Sequence, residues 1–268
     1  MTHSPTAPPS TPATVDLGGI RGWLFDLDGV LTPTATVHMH AWSRLFTPFL
    51  EAHGAEPYTD ADYFSYIDGK PRYDGVRSLL ESRGIHLPEG DVTDTPDLDT
   101  VHGLGNRKNR AFNETLAEEG VEAYPASLAF LDAVQRAGCL VAVVSSSKNA
   151  PAVLEAAGIA DRFEVVVDGQ VAAREGLPGK PFPDTYIRGA DLLRLPTTAC
   201  AVVEDAESGV RSGAAGDFGL VVGVDRGVGR DVLARLGADV VVDELDELIP
   251  AVERAAATEP TNPREDTE

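Results

Sequence analysis

The stretch Phe25-Asp26-Leu27-Asp28-Gly29-Val30-Leu31-Thr32 decides how the chain is read. It continues Gly22-Trp23-Leu24, an apolar run too short for a helix, and contains a glycine at which the chain can turn. In a strand, residues i and i+2 project to one side, so Asp26 and Asp28 bring two carboxylates to one face at the strand's end. Val-rich runs of the same kind recur at Leu140–Val144, Phe163–Val167, Cys200–Val203, Gly219–Val222 and Asp239–Val242. Their brevity and their Gly, Asp or Ser borders predict fully buried strands. Helical stretches at Ala126–Ala137, Ala150–Ala157, Pro183–Leu193 and Val228–Leu236 lie between them. Alternating β and α elements predict an α/β fold, a Rossmann-like parallel sheet covered on both faces.

One interval breaks the pattern. More than a hundred residues separate Asp26 from Leu140, far beyond an ordinary crossover. That interval is itself helical in pattern, over Ala41–His53, Tyr73–Ser82 and Arg107–Glu119, with a Gly/Asp/Pro-rich stretch, Leu87–Asp99, expected to be an exposed loop. The expected organisation is a core from 18–36 and 125–250, with a helical cap domain, 37–124, inserted after the first strand. The ends, 1–17 and 251–268, are expected to be mostly disordered tails. Ligands of open parallel sheets bind beyond the carboxyl ends of the strands, so a cap leaving from that edge covers the site.

Charge narrows the function. The 268 residues carry 22 Lys+Arg against 43 Asp+Glu, a formal net charge of −21, which argues against nucleic acid or an anionic membrane surface as partner. Two cysteines, Cys139 and Cys200, supply neither a disulfide framework nor a zinc module, and both read as small buried residues. The Pro/Thr-rich start has no secretory apolar core and no aliphatic run is long enough to span a bilayer. The expectation is a cytoplasmic enzyme, monomeric, acting on a small molecule.

Three further strand ends carry polar residues. The second reads Ser145-Ser146-Ser147-Lys148-Asn149, the loop after the third holds Gly179-Lys180-Pro181, and the fourth ends in Glu204-Asp205. Taken singly, each has a plainer reading: an Asp turn, a helix N-cap serine, a surface lysine, an acidic helix cap. What joins them is that all fall, in order, just after separate predicted strands. Gathered at one edge, two carboxylates 4 Å apart repel by about 4 kcal/mol at an effective dielectric of about 20. A hard divalent cation relieves this, and an all-oxygen ligand set favours Mg²⁺.

These residues resemble the four motifs of the haloacid dehalogenase superfamily. Thr32, His38, Trp42, Asp68-Gly69-Lys70-Pro71-Arg72, Arg107-Lys108-Asn109 and Ser145–Asn149 extend the resemblance to its β-phosphoglucomutase subgroup, from about Arg21 to Asp243. The resemblance implies that Asp26 is a nucleophile becoming an aspartyl phosphate, and that Asp28 is general acid and base. It implies that Asp26, the main-chain carbonyl of Asp28, Glu204 and Asp205 hold Mg²⁺, and that Ser145 and Lys180 bind the transferring phosphoryl group.

A mutase must exclude water and bind a second, non-reacting phosphate. Arg72 is the candidate for that site, because a guanidinium grips phosphate through paired N–H donors. Ser147, Lys148 and Asn149 complete it from the core and Lys108 from the cap. His38 stands where the resembling family couples substrate binding to the acid/base Asp; a solvent-facing histidine is the alternative. The implied activity interconverts β-D-glucose 1-phosphate and glucose 6-phosphate through a hexose 1,6-bisphosphate. A sugar-phosphate phosphatase and a non-catalytic sugar-phosphate sensor are the other readings. Pro33 departs from the family pattern at the entry to the cap, and the cap is longer than in the best-known mutases, so the sugar is left open.

Overall fold

The computed structural model describes residues 11–258 apart from 13 and 69. The outer parts of both expected tails, and Gly69 of the cap string, lie outside the described residues. Six parallel strands, β1 (Gly22–Phe25), β2 (Leu140–Val144), β3 (Val165–Val167), β4 (Cys200–Glu204), β5 (Leu220–Val224) and β6 (Val240–Val242), form one sheet in the order β3-β2-β1-β4-β5-β6. The order reverses at β1, which pairs with β2 on one side and β4 on the other. A crevice at that reversal is where doubly wound sheets bind ligands.

The strands read as hydrophobic runs because both faces are covered. Trp23 and Phe25 pack to one side with Phe130 and Val143, whereas Leu24 and Val144 pack to the other against Tyr186. Burying each such side chain contributes about 1.5–3 kcal/mol.

Between β1 and β2 the chain builds the cap from α1 (Thr34–Ala52), α2 (Asp60–Asp62), a π-helical turn at Tyr63–Ile67, α3 (Arg72–Ser82) and α4 (Val101–Glu119). Trp42, Phe46, Phe49, Leu79 and Leu104 give the cap its own core, with Trp42 stacked on Phe46 at 5.5 Å. At its base, Val37 and Ala41 of α1 and Phe112 and Leu116 of α4 join the main core cluster. The cap therefore stands on the sheet's edge. The two linkers run side by side, Tyr124 N–H donating to Leu31 O at 2.9 Å and Ser127 Oγ to Val30 O at 2.7 Å.

The core helices are α5 (Pro125–Arg136), α6 (Ala150–Ala156), α7 (Gly169–Glu175), α8 (Asp184–Leu192), α9 (Glu207–Ala215), α10 (Arg230–Leu236) and α11 (Ile249–Thr258). Several expectations need correction. The first cap helix starts at Thr34, inside the segment assigned to the core, and α4 starts at Val101 rather than Arg107. Thr100 caps α4 by accepting from Gly103 N–H at 2.9 Å, an N-terminus of ordinary chemistry. The tail beginning at 251 is helical to Thr258, with Ala251 and Val252 buried against the core. At the other end Val15 and Leu17 are also buried there. Both corrections have one cause: an apolar pair in a polar segment is enough to anchor it when a core face is open.

The stretch 87–99 is a loop without helix or strand, tied to α4 by Asn106 Nδ2 donating to Val92 O and Asp94 O and by Arg107 Nε donating to Pro96 O at 2.6 Å. Cys200 is buried and Cys139 half-buried, and neither is in a disulfide. No helix among the described residues is long and apolar enough to cross a membrane.

Candidate active site

The ends of β1, β2 and β4 and the Lys180 loop open into a cavity of about 380 Å³ roofed by the cap. All twelve candidate residues line it: Asp26, Asp28, Ser145, Ser147, Lys148, Asn149, Lys180, Glu204 and Asp205 from the core, and His38, Arg72 and Lys108 from the cap.

The chain turns after Asp28 because Gly29 takes φ +86° and Leu31 and Thr32 donate their N–H groups back to Leu27 O. A Cβ on Gly29 would collide with Asp205 Oδ2, so the glycine also makes room for the acid at the end of β4. Asp26, Glu204 and Asp205 each bring a carboxylate oxygen within 4.8 Å of the others.

Lys180 crosses this group. Its Nζ, buried, bonds Asp26 Oδ1, Glu204 Oε1 at 2.5 Å and Val144 O at 3.2 Å. Both Glu204 oxygens accept hydrogen bonds: Oε1 also from Tyr186 OH at 2.9 Å, and Oε2 from the backbone N–H groups of Asp205 and Ala206. Burial raises the Asp26 carboxyl well above the usual range; Lys180 opposes this, while Glu204 and Asp28 add to it. Asp205 is likewise raised, by burial and by Glu204, Asp26 and Asp68. Two carboxyls pushed up for want of positive charge, Asp26 and Asp205, with Glu204 beside them and oxygen donors alone, fit a hard divalent cation such as Mg²⁺.

Asp28 behaves in the opposite way. Burial works against its charge, yet His38, Thr34 and Lys108 outweigh it and lower the carboxyl to about 2. Thr34 Oγ1 donates to Asp28 Oδ1 and pairs with Thr32 Oγ1 at 2.9 Å. His38 Nε2 faces the same Oδ1 at 3.5 Å. Its Nδ1 lies 2.6 Å from Lys108 Nζ, which is buried against the rings of Trp42 and Phe112. A Lys108 N–H donating to Nδ1 leaves the ring proton on Nε2, aimed at Asp28. Burial and the Lys108 charge push His38 toward its neutral form, and burial with Arg72 pushes Lys108 well down. His38 is thus a half-buried member of the site and not a solvent-facing residue.

On the β2 side, Ser145 Oγ accepts from Ser147 N–H at 3.0 Å and Ser147 Oγ from Asn149 N–H at 3.1 Å. These bonds curl the loop and aim Ser145 and Asn149 into the cavity. Arg72, the first residue of α3, comes down from the cap and donates to Asn109 Oδ1 at 2.8 Å. Sequence reasoning missed four members of this network: Thr34, Asn109 and Tyr186, which bond to site residues, and Asp68, which lines the cavity. Asp68 and Asn109 stood beside candidates in the quoted cap strings, and Thr34 in the linker. Nothing in the local sequence distinguished Tyr186 from a core aromatic.

The comparisons agree with this architecture. Residues 20–217 match the family model of the haloacid dehalogenase-like hydrolases. The chain belongs to that family, and within it to the β-phosphoglucomutase subgroup. It is 47% identical over 243 residues to a β-phosphoglucomutase of Mycobacterium bovis, covering 86% of this chain and 92% of that protein. A hexitol phosphatase A of Escherichia coli is 32% identical, covering 73% and 79% of the two chains. The crystal structure of a β-phosphoglucomutase from Clostridium difficile superposes with a TM-score of 0.72 at 24% identity, covering 89% of this chain and 97% of that one, a likeness of fold.

Proposed function

We propose that this protein is a Mg²⁺-dependent β-phosphoglucomutase, interconverting β-D-glucose 1-phosphate and glucose 6-phosphate. The observation that carries the reading is the convergence on one cavity of a carboxylate cluster around Asp26 and a cationic group, Arg72 with Lys148. The 47% identity to a β-phosphoglucomutase over most of both chains supports it.

In this reading Asp26 attacks the phosphorus of a bisphosphorylated or monophosphorylated sugar and carries the phosphoryl group as an aspartyl phosphate. Asp26, Asp205, Glu204 and the Asp28 carbonyl would hold the Mg²⁺, which would supply charge neutralisation for the transferring phosphoryl group. Lys180, already paired with Asp26, brings its ammonium charge beside that group's oxygens, and Ser145 adds its hydroxyl. Asp28, ionised, takes the proton of the attacking sugar hydroxyl and returns it to the leaving oxygen in reverse. His38 and Lys108 keep it charged and oriented.

The other end of the sugar carries the phosphate that does not react. Arg72, Lys148, Asn149 and Ser147 bind it, Arg72 through paired donors. A hexose 1,6-bisphosphate then turns end for end between the two sites.

The test is ³¹P NMR of the protein with β-glucose 1-phosphate, Mg²⁺ and a trace of bisphosphate primer. Glucose 6-phosphate is the expected product. Inorganic phosphate alone would make the protein a sugar-phosphate phosphatase, nearer in reaction type to its Escherichia coli relative, a hexitol phosphatase. No turnover of either kind would leave a binding protein.

A further inference from the structure

Asn109 lies on α4, one position past Lys108, and its amide oxygen is shared between cap and core. Oδ1 accepts from Arg72 Nη2 of the cap at 2.8 Å and from Asn149 Nδ2 of the core at 2.6 Å. The neighbours of those two residues also meet: Lys148 Nζ sits 5.2 Å from the centre of the Tyr73 ring. Two consecutive core residues thus engage two consecutive cap residues, with Asn109 at the joint.

We infer that Asn109 is a positioning residue that latches the cap to the core and thereby sets the partition of the aspartyl phosphate between sugar hydroxyl and water. The inference rests on the mutase reading above. An amide oxygen has two lone pairs and no charge, so it holds both donors at one point and yields the donors' remaining N–H groups to an incoming phosphate dianion. A guanidinium with five N–H donors loses only one to this contact.

The chemistry balances in either direction. The bond between phosphorus and the Asp26 carboxylate breaks, a new P–O bond forms to the acceptor oxygen, and that oxygen's proton passes to Asp28. A sugar hydroxyl gives a sugar phosphate; water gives inorganic phosphate. Loosening the latch raises the fraction of time the cap is open and the share of turnovers that end in phosphate.

The experiment compares wild type, Asn109→Ala and Asn109→Asp by ³¹P NMR with β-glucose 1-phosphate and primer, together with KM, kcat and Tm. Losing both bonds in Asn109→Ala should raise the inorganic phosphate fraction about tenfold, with a higher KM. Asn109→Asp keeps the acceptor, so it should hold phosphate release near the wild-type level while its charge raises KM. A phosphate fraction unchanged in Asn109→Ala, or raised equally in both variants, overturns the latch. A wild type that makes no glucose 6-phosphate overturns instead the mutase reading on which it rests.

Discussion

Lys180 and Asp26, separated by 154 positions in the chain, form a buried ion pair at the floor of the cavity. The same ammonium bonds Glu204, so one cation offsets two carboxylates that would otherwise face each other in a low-dielectric setting.

Replacing that cation is expected to be severe. Lys180→Met leaves Asp26 and Glu204 uncompensated and should cost about 3–5 kcal/mol of stability. Turnover should fall by about three orders of magnitude, since one buried charge on the transferring group is gone. Denaturant unfolding and steady-state kinetics on the same preparation check both. Near-wild-type stability would show that the carboxylates are not held together by this lysine.

Metal removal should make stability depend on pH. Asp26 and Asp205 have carboxyls raised by burial, so the folded protein binds more protons than the unfolded chain. Stability without metal therefore falls as pH rises from the ordinary carboxylate range through the raised values. A bound divalent cation favours the ionised forms and removes that loss. Melting curves in EDTA and in Mg²⁺ across pH 5 to 8 should diverge as pH rises, with activity lost in EDTA and restored by Mg²⁺.

His38→Ala addresses Asp28, the proposed acid/base group. With a carboxyl lowered to about 2, Asp28 is ionised throughout the usual working range and imposes no acid limb there. Removing the imidazole takes away the largest influence lowering it and leaves burial to raise the carboxyl. The acid limb of kcat/KM should then move upward into the measurable range. An unshifted profile would mean that His38 does not govern Asp28.

Arg72→Ala should raise KM for the sugar phosphate about 10- to 100-fold with a smaller effect on hydrolysis of a compact phosphate ester that lacks a second phosphate. Arg72→Lys should recover only part of the loss, because an ammonium cannot offer paired planar donors. Equal effects on both substrates would remove Arg72 from the non-reacting phosphate site.

Gly209→Ala tests a packing constraint. Gly209 lies in α9, where alanine is intrinsically favoured over glycine by about 1 kcal/mol. Here its Cβ would overlap the Glu204 carboxylate, which has both oxygens engaged and nowhere to move. The variant should be less stable, by about 1–3 kcal/mol, and weaker in metal binding, by thermal melt and Mg²⁺ titration.

Much of this was legible in the chain itself. The i, i+2 spacing of Asp26 and Asp28, followed by Gly29, defined a strand end with two acids, and the later Val-rich runs defined the sheet. The hundred-residue interruption marked the cap. What stayed hidden depended on contacts between distant segments. Tyr186 reads as an apolar helix residue until Glu204 is brought under its hydroxyl. Asn109 gains meaning only when Arg72 and Asn149 arrive from two different domains. Val15 and Leu17 looked like part of a proline-rich tail because nothing local announces the core face they cover.

The position of β1 has a dynamic consequence. It is hydrogen-bonded along both edges, and Asp26 N–H itself donates to Val203 O at 2.9 Å. Amides buried in a central strand exchange with solvent only when the whole domain opens, whereas helices standing on an edge can fluctuate independently. The Asp26 carboxylate is thus anchored in a slow-breathing central strand, and the cap residues proposed to bind the sugar ride on a part free to breathe. Rigidity and recognition are allotted to separate regions of one chain.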